Sequence, residues 1–301
     1  MIRQRPVELL APARNVECAM AAVDHGADAV YIGAPRFGAR ASAGNSVEDI
    51  ARVVEYAHTF RVKVYVTVNT ILKDEELPET ERLVWALYRV GVDALIVQDM
   101  ALLELDLPPI PLHASTQMDN RTPEKVKFLH GLGFSQVVLA RELSLAEIQA
   151  VHEACDVPLE VFVHGALCVS YSGQCYVSQH CFGRSANRGE CAQFCRLKFD
   201  MVDSDGRMIE QGRHLLSLKD MNRGADLERL LDAGVTSLKI EGRLKDVAYV
   251  KNVTAWYRSR LDEIFKRRPE YRRASSGQVS LAFTPCLEKS FNRGFTRYFL
   301  D

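Results

Sequence analysis

Eight cysteines are distributed unevenly along the 301 residues, and five of them fall within 28 residues. Four members of this group are separated by six, fifteen and three residues: Cys168, Cys175, Cys191 and Cys195. Four thiolates from one segment are a suitable ligand set for a [4Fe–4S] cluster or a structural zinc ion. Zinc sites usually contain paired short Cys-x2-Cys turns, so the irregular spacing favours the cluster. We therefore predict a [4Fe–4S] site, with zinc as the alternative.

The fifth clustered cysteine, Cys181, leaves a choice of ligands. Either Cys181 or Cys195 could complete the set, and we predict Cys195. All five could instead be ordinary buried thiols, because cysteine is among the most buried residue types. Gly, Ser, Asn and Arg surround them rather than an apolar run, which argues for ligands.

Polar residues also follow the predicted strands, at the carboxyl ends where β/α barrels gather catalytic groups. We predict catalytic roles for His164, Arg141 and Glu241, and substrate binding by Arg14, His113 and Arg243. Arg14, Arg141 and Arg243 could together hold a carboxylate or phosphate, because guanidinium groups bind such anions through paired hydrogen bonds. A small anionic ligand is therefore expected.

Each of these residues also has a structural interpretation. Any one of the arginines could be a surface or ion-paired residue. Glu241 could pair with Lys239 or Arg243, and His113 could be a hydrogen-bonded core histidine. His164 directly precedes the cysteine segment, so it could transfer protons or only hydrogen-bond near the cluster.

The elements that would hold these residues alternate regularly between strand and helix patterns. The predicted strands are Val7–Leu10, Ala29–Gly33, Val62–Val68, Ala94–Val97, Pro111–Ala114, Gln136–Ala140, Leu159–His164 and Ser237–Glu241. They are apolar at nearly every position, which is typical of a parallel sheet covered on both faces. Eight such units predict an α/β fold, a (β/α)8 TIM-like barrel. A doubly wound open sheet is the alternative, because strand count alone does not show closure.

One unit is interrupted by about sixty residues, where loops between strand and helix usually have two to six residues. We predict a cysteine-rich insertion, residues 166–225, after strand seven, with a hairpin that begins at Phe199–Val202. The barrel with this insertion is predicted to span 1–265, followed by a basic linker and C-terminal tail at 266–301. An insertion after a strand lies on the catalytic face of a barrel, so the cysteines should lie beside the polar residues.

The overall charge does not identify a partner. There are 38 Lys and Arg against 39 Asp and Glu, so any nucleic-acid contact must be local. Residues Lys266–Arg273 hold five basic side chains around Tyr271, and they could contact RNA or form a solvated linker. The apolar runs are too short for a membrane span and no secretory signal is recognisable, so we expect a cytoplasmic protein with no membrane partner.

Several longer motifs resemble one known family. They are Glu8–Arg14, His25–Gly33, Phe162–Cys168, Tyr171–Cys175, Asn187–Cys191 and Lys239–Arg243. On these motifs, across essentially the whole chain, the sequence resembles the collagenase-like peptidase family U32. Proteolysis would need an activated nucleophile or a metal-bound water, and the sequence contains no recognisable arrangement of that kind. A cysteine protease would require one clustered cysteine as a free, low-pKa thiolate near His164.

Within the family, the sequence is most similar to members that modify RNA, on the stretches Val92–Asp99, Leu112–Gln117 and Gly183–Gly189. The resemblance implies a hydroxylase that forms 5-hydroxycytidine in large-subunit ribosomal RNA, with an oxygen-sensitive [4Fe–4S] cluster and prephenate as co-substrate. Similar relatives hydroxylate tRNA uridine, so tRNA is the alternative RNA partner and a collagenase-like peptidase is the alternative activity. Cys168, Cys175 and Cys191 match the family's cluster cysteines. The RNA enzymes of the family are considerably longer, so a C-terminal domain that contacts RNA could be missing here.

Overall fold

The computed structural model describes residues 4–39, 44–242 and 244–301. Within these ranges the chain forms a closed barrel of eight parallel strands. Seven come first: β1 (Arg5–Ala13), β2 (Ala29–Gly33), β3 (Lys63–Val68), β4 (Ala94–Val97), β5 (Leu112–Ala114), β6 (Gln136–Val138) and β7 (Leu159–Gly165). After three further strands, β8 (Phe199–Val202), β9 (Met208–Arg213) and β10 (Asp220–Asn222), the eighth barrel strand is β11 (Ser237–Ile240). It pairs with both β7 and β1, so the barrel prediction is confirmed and the open sheet is wrong.

Eight α-helices lie among the described residues, and all but the sixth, which belongs to the insertion after β7, cover the outside of the barrel. They are α1 (Val16–Asp24), α2 (Val47–Thr59), α3 (Leu77–Arg89), α4 (Pro123–Gly131), α5 (Leu145–Ala154), α6 (Val177–Phe182), α7 (Leu227–Asp232) and α8 (Val247–Arg267). Side-chain caps fix where several begin. The Ser144 hydroxyl accepts a hydrogen bond from the Glu147 amide, and the Glu147 carboxylate accepts one from the Ser144 amide, which satisfies donors that a helix start leaves free. None of the helices among the described residues is both long and apolar enough to cross a bilayer.

The inside of the barrel holds an apolar cluster together with several polar side chains, although the predicted strands are almost wholly apolar in sequence. Tyr65 Oη and Ser237 Oγ donate to the two carboxylate oxygens of Glu8, at 2.6 and 2.7 Å. Lys239 Nζ donates to Glu160 Oε1 at 2.6 Å. Burial raises the pKa of Glu8 to about 7. The apolar core therefore lies mainly between strands and helices, while ion pairs and hydrogen bonds cross the lumen.

The insertion after β7 contains a helix that the sequence analysis did not predict, α6, and the antiparallel hairpin of β8 and β9, which it did. Its last strand, β10, pairs antiparallel with the end of β7. In the tail, β12 (Tyr271–Arg273) pairs with the start of β1, and β13 (Phe295–Thr296) pairs with β10. The predicted division of the chain into a barrel, 1–265, and a tail, 266–301, stays a prediction.

The basic stretch Lys266–Arg273 lies at the amino-terminal end of the barrel. Arg268 pairs with Asp232 and Glu270, and Arg273 pairs with the buried Asp28. These arginines connect α8 and β12 to the barrel, at the end opposite to the carboxyl ends of the strands.

Candidate active site

A cavity of about 180 Å³ lies at the carboxyl ends of the barrel strands. The barrel and the insertion both contribute to its walls. The predicted site residues that line it are Arg141, Glu241, Cys168, Cys175, Cys191 and Cys195. The structure therefore brings together six of the ten residues proposed from the sequence.

The four cysteines lie close enough for their charges to interact. Burial raises the pKa of the Cys175 thiol, and negative charge on the other three cysteines raises it further. Burial likewise raises the pKa of Cys195. Four neighbouring thiolates repel one another, and a bound metal centre removes that repulsion because thiolates are its ligands. The donor set therefore fits a thiolate-bound cofactor.

Two further observations bear on this ligand set. Cys181 is exposed on α6 and is not among the described residues that line the cavity. Across residues 4–39, 44–242 and 244–301, no three Cys, His, Asp or Glu side chains form a group that could hold a metal ion as they stand. The identity of the cofactor and of its four ligands stays a prediction.

The cysteine segment is anchored to the barrel at Ser172 and Gly173. The Ser172 amide and hydroxyl donate to the Glu142 carboxylate, at 2.8 and 3.0 Å. Asn187 Nδ2 donates to the Gly173 carbonyl at 3.0 Å. Gly173 has φ +79°, and a β-carbon placed on it would lie 2.1 Å from the Gln117 carbonyl oxygen. Only glycine allows this close approach between the cysteine segment and the loop after β5.

Arg141 reaches the cavity across the ring of Phe162. Its guanidinium carbon lies 3.7 Å from the ring centroid, a stacking and cation–π contact. One terminal nitrogen lies 2.8 Å from Glu241 Oε2. The Arg141 side chain is only 13% exposed, so the charge is held in a fixed place. Glu241 thus orients a cation that can bind an anionic ligand.

Lys239 is a cavity residue that the sequence argument did not propose as a site residue. Its ammonium group contacts Glu160 at 2.6 Å and lies 4.4 Å from the centroid of the Tyr31 ring. Lys239, Tyr31 and Phe162 all line the cavity. Lys239 could have been predicted from the proposed Glu241, because residues two apart along a strand point to the same side of the sheet.

His164 is not brought to the cavity. The pairing of β7 with β11 is irregular at this end, and His164 lies opposite Ile240. This irregularity breaks the alternation that points Phe162 inward, so His164 packs against Tyr257 of α8, with 3.3 Å between Nδ1 and the hydroxyl. Burial and, to a smaller extent, the charge of Lys245 together lower the pKa of His164 to about 3, so the ring is neutral at pH 7.

The three residues proposed for substrate binding have different positions. His113 is a core histidine inside the barrel, 4.7 Å from the Tyr65 ring, and its Nδ1 has no hydrogen-bond partner among the described residues. Burial lowers the pKa of His113 to about 3. Arg14 is exposed and is not among the described residues of the cavity wall. Arg243 lies outside the described residues.

Comparison with known proteins gives a consistent match. The model of "Peptidase family U32" matches residues 14–301. A 23S rRNA 5-hydroxycytidine synthase of Escherichia coli is 57% identical over 98% of this chain and 45% of the relative. A tRNA hydroxylation protein of Bacillus subtilis is 38% identical over 87% of this chain and 64% of the relative. A collagenase of Porphyromonas gingivalis is 33% identical over 85% of this chain and 65% of the relative. The chain thus spans less than two thirds of the length of each of these relatives.

Proposed function

The chain belongs to peptidase family U32, and on that basis we propose that it carries the active site of an RNA hydroxylase. The proposed product is 5-hydroxycytidine in large-subunit ribosomal RNA. Support comes from the 57% identity to the Escherichia coli synthase over 98% of this chain, which includes the cavity. Because ribosomes lie in the cytoplasm, the proposal also places the protein there. A tRNA target is the alternative, supported by the Bacillus subtilis relative.

The observation that carries the proposal is the shared cavity of four cysteines, Arg141 and Lys239. Replacing the hydrogen on cytidine C5 by a hydroxyl group is a two-electron oxidation, which acid and base side chains alone cannot perform. A [4Fe–4S] cluster held by Cys168, Cys175, Cys191 and Cys195 would carry these electrons one at a time, and the co-substrate would have to accept both and provide the hydroxyl oxygen.

The remaining wall residues suit a small anionic co-substrate, for which we propose prephenate. Arg141 and Lys239 place two positive charges at the cavity, each against a carboxylate. Glu241 and the Phe162 ring hold the Arg141 guanidinium in one orientation, so that its paired donors can bind a carboxylate. Binding the anion in this place would position it beside the cysteines.

The cavity opening offers a surface for a nucleobase. Tyr171 lines the cavity and is 58% exposed, and the Arg121 guanidinium lies 4.2 Å from the centroid of its ring. Enzymes that act on a base move it out of the stack and hold it against aromatic or guanidinium planes. Tyr171 and Arg121 would therefore receive the cytidine as it enters from solvent.

A peptidase activity has less support from the geometry. A cysteine nucleophile needs a general base within hydrogen-bonding reach. His164, the histidine closest in sequence before the cysteine segment, packs against α8 instead, and burial lowers its pKa to about 3.

Mass spectrometry of ribosomal RNA from a gene-deletion strain tests the proposal. We expect 5-hydroxycytidine to disappear, to return with the wild-type gene, and to fall at least about tenfold with Arg141→Met, since a lost charged hydrogen bond costs roughly 1.5–3 kcal/mol. Arg52→Met, on the exposed face of α2, is the matched control and should restore the modification fully. Persistence of 5-hydroxycytidine in the deletion strain would refute the assignment, and loss of hydroxyuridine from tRNA alone would favour the alternative.

A further inference from the structure

A second groove, of about 690 Å³, opens where the start of α8 meets the C-terminal tail. We call it the Phe291 groove. Its main lining side chains are Lys245, Lys251, Asn252, Phe283, Lys289 and Phe291. Neither the cavity nor the proposed chemistry uses these residues.

Phe291 is unusually exposed for a large apolar side chain, at 63%. Two cations flank its ring: Lys245 Nζ lies 4.4 Å from the ring centroid, and the Arg293 guanidinium lies 5.0 Å from it. An exposed ring between cations is what proteins use to bind single-stranded nucleic acid, because the ring stacks on a base while the cations neutralise the neighbouring phosphates.

Positive side chains outnumber negative ones in the lining of the groove. Three lysines line it against one aspartate, Asp246. The Asp246 carboxylate is already engaged, since it caps α8 by accepting a hydrogen bond from the Tyr249 amide at 2.8 Å. Lys251 and Lys289 are exposed to solvent. Arg293 differs from these two lysines, because its guanidinium is paired with the Asp220 carboxylate at 3.1 Å.

The groove adjoins the cavity. Tyr249 lines the groove, and its hydroxyl donates to the Glu241 carbonyl at 2.9 Å. Glu241 lines the cavity, and Lys245 follows it by four residues along the chain. The groove and the cavity therefore lie at the same end of the barrel, on either side of the segment that follows β11.

We infer that the Phe291 groove binds single-stranded RNA next to the nucleotide that enters the cavity. Phe291 stacks on one base, while Lys245, Lys251 and Lys289 contact the phosphates around it. The inference rests on the proposed RNA hydroxylase function and adds a surface that selects unpaired RNA.

Fluorescence anisotropy of the 301-residue chain with a labelled RNA oligonucleotide of about 12 nucleotides tests the groove. Phe291→Ala should weaken binding about tenfold, because one stacked base is lost. Phe291→Tyr should retain most of the affinity, because the ring remains. Phe128→Ala is the matched control: Phe128 lies on α4, is 57% exposed, and should leave the affinity unchanged. The slope of log affinity against log salt concentration, which we call the salt slope, has a magnitude of roughly 0.7 per phosphate contact in single strands. The double variant Lys251→Gln, Lys289→Gln loses two such contacts, so the magnitude of its salt slope should fall by about 1.4.

Equal affinity of Phe291→Ala and Phe128→Ala for the RNA would overturn the inference, as would an unchanged salt slope in the double lysine variant. Thermal unfolding of each variant shows that a weakened affinity is not a loss of fold. Ribosomal RNA mass spectrometry in the deletion strain separates the two ideas. Persistent 5-hydroxycytidine there refutes the proposed function, whereas unaltered RNA binding by Phe291→Ala refutes the groove alone.

Discussion

Replacing Gly173 by alanine should prevent binding of the proposed iron–sulfur cluster without unfolding the barrel. Gly173 has φ +79°, and an added β-carbon would lie 2.1 Å from the Gln117 carbonyl oxygen. An ordinary contact begins at 3.4 Å, so the segment must move away by about 1.3 Å. Cys175 is two residues further on, and the movement would carry it away from the other three cysteines.

The expected cost follows from the contacts of the same segment. A displacement of about 1.3 Å would break the two hydrogen bonds between Ser172 and Glu142, now 2.8 and 3.0 Å long. Bonds to a carboxylate contribute about 1.5 kcal/mol or more each, so roughly 3 kcal/mol is lost. The left-handed backbone of a non-glycine residue adds about 1 kcal/mol. Anchoring of the cysteine segment should therefore weaken by about 4 kcal/mol in Gly173→Ala.

Gly183→Ala is the matched control. Gly183 lies in the same insertion with φ +63°, but an added β-carbon would have no neighbour within 4 Å among the described residues. It should cost only the backbone strain of about 1 kcal/mol.

Iron per chain and the anaerobic absorption spectrum compare the two variants with the wild type, and thermal unfolding reports on the barrel. We expect Gly173→Ala to lose most of its iron and Gly183→Ala to keep it, both with a folded barrel. Equal iron in the two variants would refute the argument that close approach at residue 173 anchors the segment.

Two further predictions follow from the site and the lumen. Cys191→Ser should abolish iron binding, whereas Cys181→Ser, at an exposed position outside the cavity wall, should retain it; equal iron contents in these two proteins would contradict the ligand set. Folding raises the pKa of Glu8 from 4.5 to about 7, so protonated Glu8 favours the folded state. This contribution to the free energy of unfolding is full below about pH 4.5, and roughly 3 kcal/mol of it is lost as the pH rises to about 7. Glu8→Gln should flatten this decline in urea unfolding measured between pH 5 and pH 8, and a decline as steep as that of the wild type would disprove the role of Glu8.

The sequence predicted the barrel well because its pattern repeats. Eight apolar runs followed by helical patterns are enough to define a (β/α)8 order. Because the units are regularly spaced, an insertion of about sixty residues is easily recognised. The cysteine ligands could be proposed for a similar reason, since all four come from one segment. Local patterns thus account for the elements and for the thiol-bearing wall of the cavity.

Contacts between distant residues could not be predicted in the same way. Arg141 and Glu241 are 100 residues apart, and nothing local indicates that they pair. His164 appeared catalytic because it ends a barrel strand, but an irregularity in strand pairing turns it towards α8. The charges inside the lumen were hidden because isolated polar residues such as Glu8 and Glu160 occur within otherwise apolar strands.

Barrel closure by β11 constrains the order of events during synthesis. β1 and β7 can each pair with their second barrel neighbour only after residues Ser237–Ile240 of β11 have been synthesised. Translation proceeds from the amino terminus, so until then both strands expose unpaired edges, which are sites of aggregation. The cysteines at 168–195 leave the ribosome before β11 has been synthesised. If these cysteines hold the proposed cluster, their final arrangement around it belongs to a late stage of maturation. A metal bound earlier would be held by a segment whose supporting barrel is still incomplete.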